Sequence, residues 1–272
     1  MSWVIGNIVW LIDTSIIEKI QSAYELAKKK YSWMLRNDGS PVFNHSIDVI
    51  CKVFTYFSLE DIGKLTPEDI VVFLLHDIIE DSDVEFVELY KGYWWEIAFE
   101  VHQLSKKSWT RYLKDIKDSE VSPENQKLLH DAQNKYKIYM LEQKKLYSEK
   151  SEDFLETLNL RSLENQEFFK NLPEEIKIIA KEKRNQAYYG GMSQMKFTTL
   201  MWKIADRITG LISIDTLWRR DKIISKIRET QRYFFPVVQS KFPYLSEFFE
   251  QMICDMITRY NISKKELELY SS

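Results

Sequence analysis

Residues 74–81 read Leu-Leu-His-Asp-Ile-Ile-Glu-Asp. Four polar groups, His76, Asp77, Glu80 and Asp81, interrupt an apolar run, and this restricts the folds open to the chain. The spacing predicts one helix over about 67–80, opened by Thr66-Pro67-Glu68 with a capping residue before a proline at the first helical position. On such a helix, residues three and four apart share a face, so His76 stacks over Glu80, and Asp77 over Glu80 and Asp81. Leu74, Leu75, Ile78 and Ile79 cover much of the rest. Gathering that much charge on a buried helix is costly unless something offsets it. A divalent metal ion is one such compensation.

The other expected elements are helical too. Gly (7) and Pro (6) are scarce among 272 residues, and strand-like alternation is rare, which implies an all-α fold. A first helix is expected from Asp13 or Thr14 to about residue 35, with Ile16, Ile17, Ile20, Tyr24, Ala27 and Tyr31 at helical spacing. The turn cluster Arg36-Asn-Asp-Gly-Ser-Pro41 ends it. A second helix, roughly 44–58, would carry Ile47, Ile50, Cys51 and Phe54 on one face. Further helices follow over 84–107, from about Lys196, over Arg228 to Val238, and over Pro243 to Leu269.

The stretch 112–190 differs in composition. Helices beginning at Ser122-Pro123-Glu124 and Asn171-Leu-Pro-Glu-Glu175 are dense in Lys, Glu and Gln. Such faces are expected to be solvated, with a protein-binding arm as the sharper alternative. The stretch reads as a helical insertion within a single domain, 1–272, that ends in a helical extension at about 239–272. Net charge is −3, with acids and bases interspersed, so there is no basic field of the kind nucleic acid requires. Cys51 and Cys254 match no metal-ligand spacing and are expected to be reduced core thiols. The apolar N-terminal stretch lacks the positive region and cleavage site of a signal peptide, and no uncharged run is long enough to span a bilayer. The expectation is a soluble cytoplasmic protein.

Two distant residues bear on the charged run. His45 follows the Gly-Ser-Pro turn at a helix start; read alone, it is a cap or a surface residue. Asp206, in Trp-Lys-Ile-Ala-Asp-Arg-Ile, sits on an apolar helix and needs a partner, either Lys203 or Arg207 or a metal. His102 and His130 have no comparable setting and are read as structural or exposed.

The order His45, His76-Asp77, Asp206 resembles the ligand order of the HD phosphohydrolase superfamily. More closely, the chain resembles the hydrolase domain of the (p)ppGpp hydrolases related to bacterial Rel and SpoT proteins. Four blocks carry the likeness: Ala23-Tyr24 through Arg36-Asn-Asp-Gly39-Ser-Pro41-Val-Phe-Asn-His45; His76-Asp77-Ile-Ile-Glu80-Asp81; Lys203-Ile-Ala-Asp206-Arg207; and Glu229-Thr230 through Pro236. They stand in family order. The resemblance implies an HD-domain helical bundle in which His45, His76, Asp77 and Asp206 hold a metal. Mixed nitrogen and oxygen ligation suits Mn²⁺, Fe²⁺, Zn²⁺ or Co²⁺; the resemblance implies Mn²⁺. Glu80 and Asp81 would orient a water and move its proton.

The implied substrate is guanosine 5′-di- or triphosphate carrying a 3′-diphosphate, cleaved to GDP or GTP and pyrophosphate. Arg36, Lys203 and Arg207 are the cations expected to meet it, with Lys106 and Lys107 as further candidates. Too little chain follows Pro236 for the synthetase half of longer relatives, so a stand-alone hydrolase is expected, of a kind that can neutralise a toxic alarmone synthetase. The chain departs from the family in two places. Gly210 stands where relatives have an asparagine that helps hold the nucleotide, and the stretch between Lys106 and Lys203 is longer than in compact members. Gly210 keeps open another substrate on the same scaffold: an adenosine alarmone, NADPH or a pyrophosphorylated RNA end. A non-catalytic module that senses a nucleotide or binds a partner is the remaining alternative.

Overall fold

The structure, a computed structural model, describes residues 14–36, 39–146, 158, 161–214 and 219–268. The apolar N-terminal stretch and Asp13 lie outside the described residues. The chain is all-α. In order its helices are α1 (Thr14–Tyr31), α2 (Val42–Tyr56), α3 (Leu59–Ile62), α4 (Pro67–Leu74), α5 (Ile78–Asp81), α6 (Phe86–Gly92), α7 (Trp95–Leu104), α8 (Pro123–Leu146), α9 (Arg161–Glu164), α10 (Glu167–Lys170) and α11 (Glu174–Gly190). They continue with α12 (Phe197–Ile212), α13 (Arg220–Glu229), α14 (Phe235–Lys241), α15 (Ser246–Arg259) and α16 (Lys264–Glu268). Among the described residues there is no strand, and extended pairing is limited to an isolated bridge between Leu35 and Pro41. No helix of the described residues is long and apolar enough to cross a membrane.

Contacts divide the chain into two compact units. One draws on the chain up to Leu75 and from Met192 onward; the other is His76–Gly191. In the first unit α12 lies along α2 and is buried nearly all round. Phe73 of α4 stacks on Trp202 of α12 at 4.2 Å between ring centroids. Beside them Asp69, fully buried, accepts hydrogen bonds from Thr198 Oγ1 (2.8 Å), Lys196 Nζ (2.8 Å) and the Thr66 backbone N–H (2.8 Å). A carboxylate can remain in the interior because these donors replace its water.

The second helix buries a different face from the one its apolar pattern indicates. His45, Ser46, Val49 and Val53 point inward, whereas Ile47 and Phe54 are exposed and Cys51 with them. Residues 45, 49 and 53 form one i, i+4 row, so turning His45 inward takes Val49 and Val53 with it and puts Phe54 outside. Cys254 is exposed as well, so neither cysteine is a core thiol.

In the second unit the charged stretch has a core of its own. Trp109, Leu113, Leu129, Ala132, Phe169, Ile176 and Ala180 are buried together. Glu175 fixes the start of α8 by accepting from the Ser122 backbone N–H and hydroxyl and from Asn125 Nδ2. Those hydrogen bonds, Asn125 first, hold its carboxyl below the usual range. On the 24 residues of α8 only Leu129, Ala132 and Tyr136 are buried, so its charges do lie on a solvated face.

Candidate functional site

The helix expected over 67–80 is not continuous. α4 ends at Leu74, Leu75 and Asp77 both adopt φ near −100° and ψ near 0°, and α5 begins afresh at Ile78. Those angles lie in the bridge region, where the helical ladder stops. The carbonyl of His76 lies 3.3 Å from the Ser105 hydroxyl, which also reaches the Val101 carbonyl at 2.9 Å. The continuous helix on which His76 was to stack over Glu80 is therefore broken at residues 75–77. Instead, the corner sets His76 Nε2 2.9 Å from Asp77 Oδ2, with His76 buried and Asp77 half-buried. Glu80 and Asp81 also part company. Glu80 is half-buried and accepts from the Lys106 backbone N–H at 3.0 Å, while Asp81 is exposed.

In the first unit α2 and α12 meet through a second such pair. His45 Nε2 lies 3.0 Å from Asp206 Oδ1, joining residues 161 positions apart. His45 is 8% exposed, so it is neither a surface residue nor a cap. Lys203 Nζ stands 3.7 Å from the other oxygen of Asp206. Arg207, buried, pairs with Glu229 Oε2 at 3.0 Å and lies 4.1 Å over the Phe234 ring. Arg36 is presented by a turn in which Gly39 takes φ +81°, a left-handed conformation that glycine adopts without strain. That turn lets the Arg36 backbone N–H bond Ser40 O and its carbonyl accept from Gly39 N. The Arg36 guanidinium reaches Ser213 Oγ at 3.2 Å. Asp206, Gly210 and Ser213 follow one another at i, i+4 and i+7 along one face of α12.

One residue on this face escaped the sequence. A side chain added at Gly210 would bring its Cβ 3.0 Å from Lys226 Nζ, so the ammonium of α13 lies over the bare backbone there. The signal was present as a glycine in mid-helix, a position that often marks close approach by a neighbour. Which neighbour approaches depends on how α12 and α13 pack.

The donor set suits a metal. His45 and Asp206 offer an imidazole nitrogen and a carboxylate oxygen close enough to share one ion. Each histidine–carboxylate pair joins a buried imidazole to a half-buried carboxylate.

No family model matches the chain. Two curated proteins do, both named guanosine-3′,5′-bis(diphosphate) 3′-pyrophosphohydrolase. The one from Spiroplasma citri is 31% identical over 101 residues, 37% of this chain and 13% of that protein. The one from Aquifex aeolicus (strain VF5) is 34% identical over 89 residues, 33% of this chain and 12% of that protein. The chain thus spans about an eighth of the length of the curated relatives it matches. A solved structure described as a metazoan ortholog of SpoT that hydrolyzes ppGpp aligns with a TM-score of 0.45 at 12% identity, over 90% of this chain and 97% of that one. Over about a third of its length the chain is similar to these two pyrophosphohydrolases.

Proposed function

We propose that this chain is a metal-dependent phosphohydrolase that removes the 3′-diphosphate from guanosine alarmones, converting (p)ppGpp to GDP or GTP and pyrophosphate. The observation that carries the reading is the buried contact of His45 with Asp206, in a chain similar to two curated hydrolases of that name. His45, His76, Asp77 and Asp206 would hold the ion, with Mn²⁺ as the proposed metal. When bound, such an ion lowers the pKa of a water and polarises a phosphoryl oxygen. Glu80 takes the proton of the attacking water and returns it to the departing 3′ oxygen. The hydrogen bond from Lys106 N–H to Oε2 holds the Glu80 carboxylate in place for this work. Asp81 assists from the exposed end of α5.

Arg36 and Lys203 bind phosphate in this scheme. Arg207 adds positive charge beside Asp206 while its guanidinium is anchored by Glu229 and Phe234. Lys226 adds a cation where relatives place a neutral amide. One observation favours a second reading, another phosphorylated nucleotide on the same scaffold: Gly210 stands where the family has asparagine, and Lys226 Nζ lies over it.

The test is pyrophosphate release from ppGpp by the purified protein with Mn²⁺, beside an Asp77→Asn variant. Wild-type release is expected, with the variant slower by more than about 100-fold, the upper end of what losing a metal ligand's supporting partner costs. A wild type that releases nothing refutes the guanosine reading. Turnover of an adenosine alarmone or NADPH in its place establishes the second.

A further inference from the structure

We propose that the end of α11, in the charged middle stretch, positions Glu80 through a strap at Leu104–Lys106, so that Tyr188 and Tyr189 are positioning residues for catalysis. This rests on the role given to Glu80 above. Three consecutive strap residues are each tied down. The Tyr188 hydroxyl donates to the Leu104 carbonyl. Ser105, 2% exposed, places its hydroxyl 3.3 Å from the His76 carbonyl, at the corner that turns His76 and Asp77. The Lys106 backbone N–H donates to Glu80 Oε2 at 3.0 Å.

The side chain of Lys106 points to the same anchor. Its ammonium lies 4.9 Å from the centre of the Tyr189 ring and 5.8 Å from that of Tyr188, both within cation–π range. Tyr189 is buried, which fixes the platform. Lys106 thus acts in two directions: its side chain is held by α11 while its amide holds the carboxylate. A carboxylate that must meet a water in line with phosphorus gains from being fixed, and a misplacement of about 1 Å can cost about 100-fold. The extra length of this chain between Lys106 and Lys203 then bears directly on the site.

The variants are Tyr189→Leu, Tyr189→Phe and Lys106→Met, the last keeping the amide while removing the charge. Two readouts are taken on the whole protein with Mn²⁺: hydrogen exchange at the Lys106 amide, and kcat and KM on ppGpp. Tyr189→Leu and Lys106→Met are expected to speed exchange and to lower kcat about 10- to 100-fold, with KM and bound metal unchanged. Combining the two should add little, and Tyr189→Phe, which keeps the ring, should behave as wild type. If Tyr189→Leu fails to fold, Lys106→Met decides. Unchanged exchange at the Lys106 amide overturns the proposal, as does a raised KM with kcat kept, which would make Lys106 a substrate contact. Exchange needs no turnover, so a wild type inert on ppGpp would sink the alarmone reading and leave the strap to be judged by exchange alone.

Discussion

Helices α12 and α8 both carry charge, and they treat it in opposite ways. α12 buries thirteen of its sixteen residues, Lys203 and Arg207 among them, with Asp206 half-buried between. α8 buries three of twenty-four and leaves its lysines and glutamates in water. By charge density alone α8 is the more conspicuous sequence. Charge in water costs little, however, whereas charge in the interior persists only when matched. Each ionic group of α12 has its match: Asp206 with His45 and Lys203, Arg207 with Glu229. The proposed chemistry falls on the helix where charge is expensive.

Breaking a pair on α12 should therefore give the largest effect on stability. Arg207→Met leaves Glu229, whose side chain is 18% exposed, without its guanidinium. A loss of about 3 kcal/mol is expected, read as a lower midpoint in urea unfolding. Replacing Glu229 by Leu in the same chain should recover most of it, because the stranded charge is then gone. A loss below about 1 kcal/mol would mean that α12 tolerates unmatched charge as α8 does.

How much of this was legible in the sequence follows from the same contrast. Helices were readable because their signals are local: Thr66-Pro67 capping, the Gly39 turn, the breaks at Ser122-Pro123 and Asn171-Leu-Pro. The distant partners His45 and Asp206 were named only through resemblance to a family, since no local pattern joins positions so far apart. The orientation of α2 was misread because apolar counting favoured Ile47 and Phe54, and the contact of His45 outweighed it. The corner at Leu75–Asp77 was invisible because the apolar run continues through it, and Ser105, whose hydroxyl lies beside the His76 carbonyl, is 29 residues on. Lys226 over Gly210 was hidden for the same reason.

A half-buried imidazole in the second unit sharpens the comparison. Burial first, then the positive charges of Lys107 and Arg111, push the His102 imidazole down to about 3. Lys107 Nζ lies against both ring nitrogens, and its positive charge disfavours a second one on the ring. In the unfolded chain His102 takes up a proton near its ordinary value of about 6.5, while the folded protein resists until about 3. Nothing is gained or lost above pH 6.5, and stability falls as the pH drops from there towards 3. At pH 5 the deficit is about 2 kcal/mol, at about 1.4 kcal/mol per unit. His102→Gln should flatten that part of the stability curve. An unchanged acid limb in the variant would place the sensitivity elsewhere.

The smallest effect belongs to the solvated side. Lys183 of α11 meets Glu120 at 2.9 Å, with side chains 22% and 35% exposed. The Glu120 carboxyl is held below its usual range, first by the Lys117 backbone N–H and then by Lys183. The backbone bond survives Lys183→Ala, and water replaces the ammonium. The expected loss is within about 0.5 kcal/mol, present above the ordinary carboxylate range and fading as acid protonates Glu120. It should shrink further in 1 M salt, where charges are screened beyond about 3 Å. A loss of 2 kcal/mol or more, insensitive to salt, would mean that this pair is held like those of α12, and that the division between a helix of matched buried charge and a stretch of solvated charge does not hold.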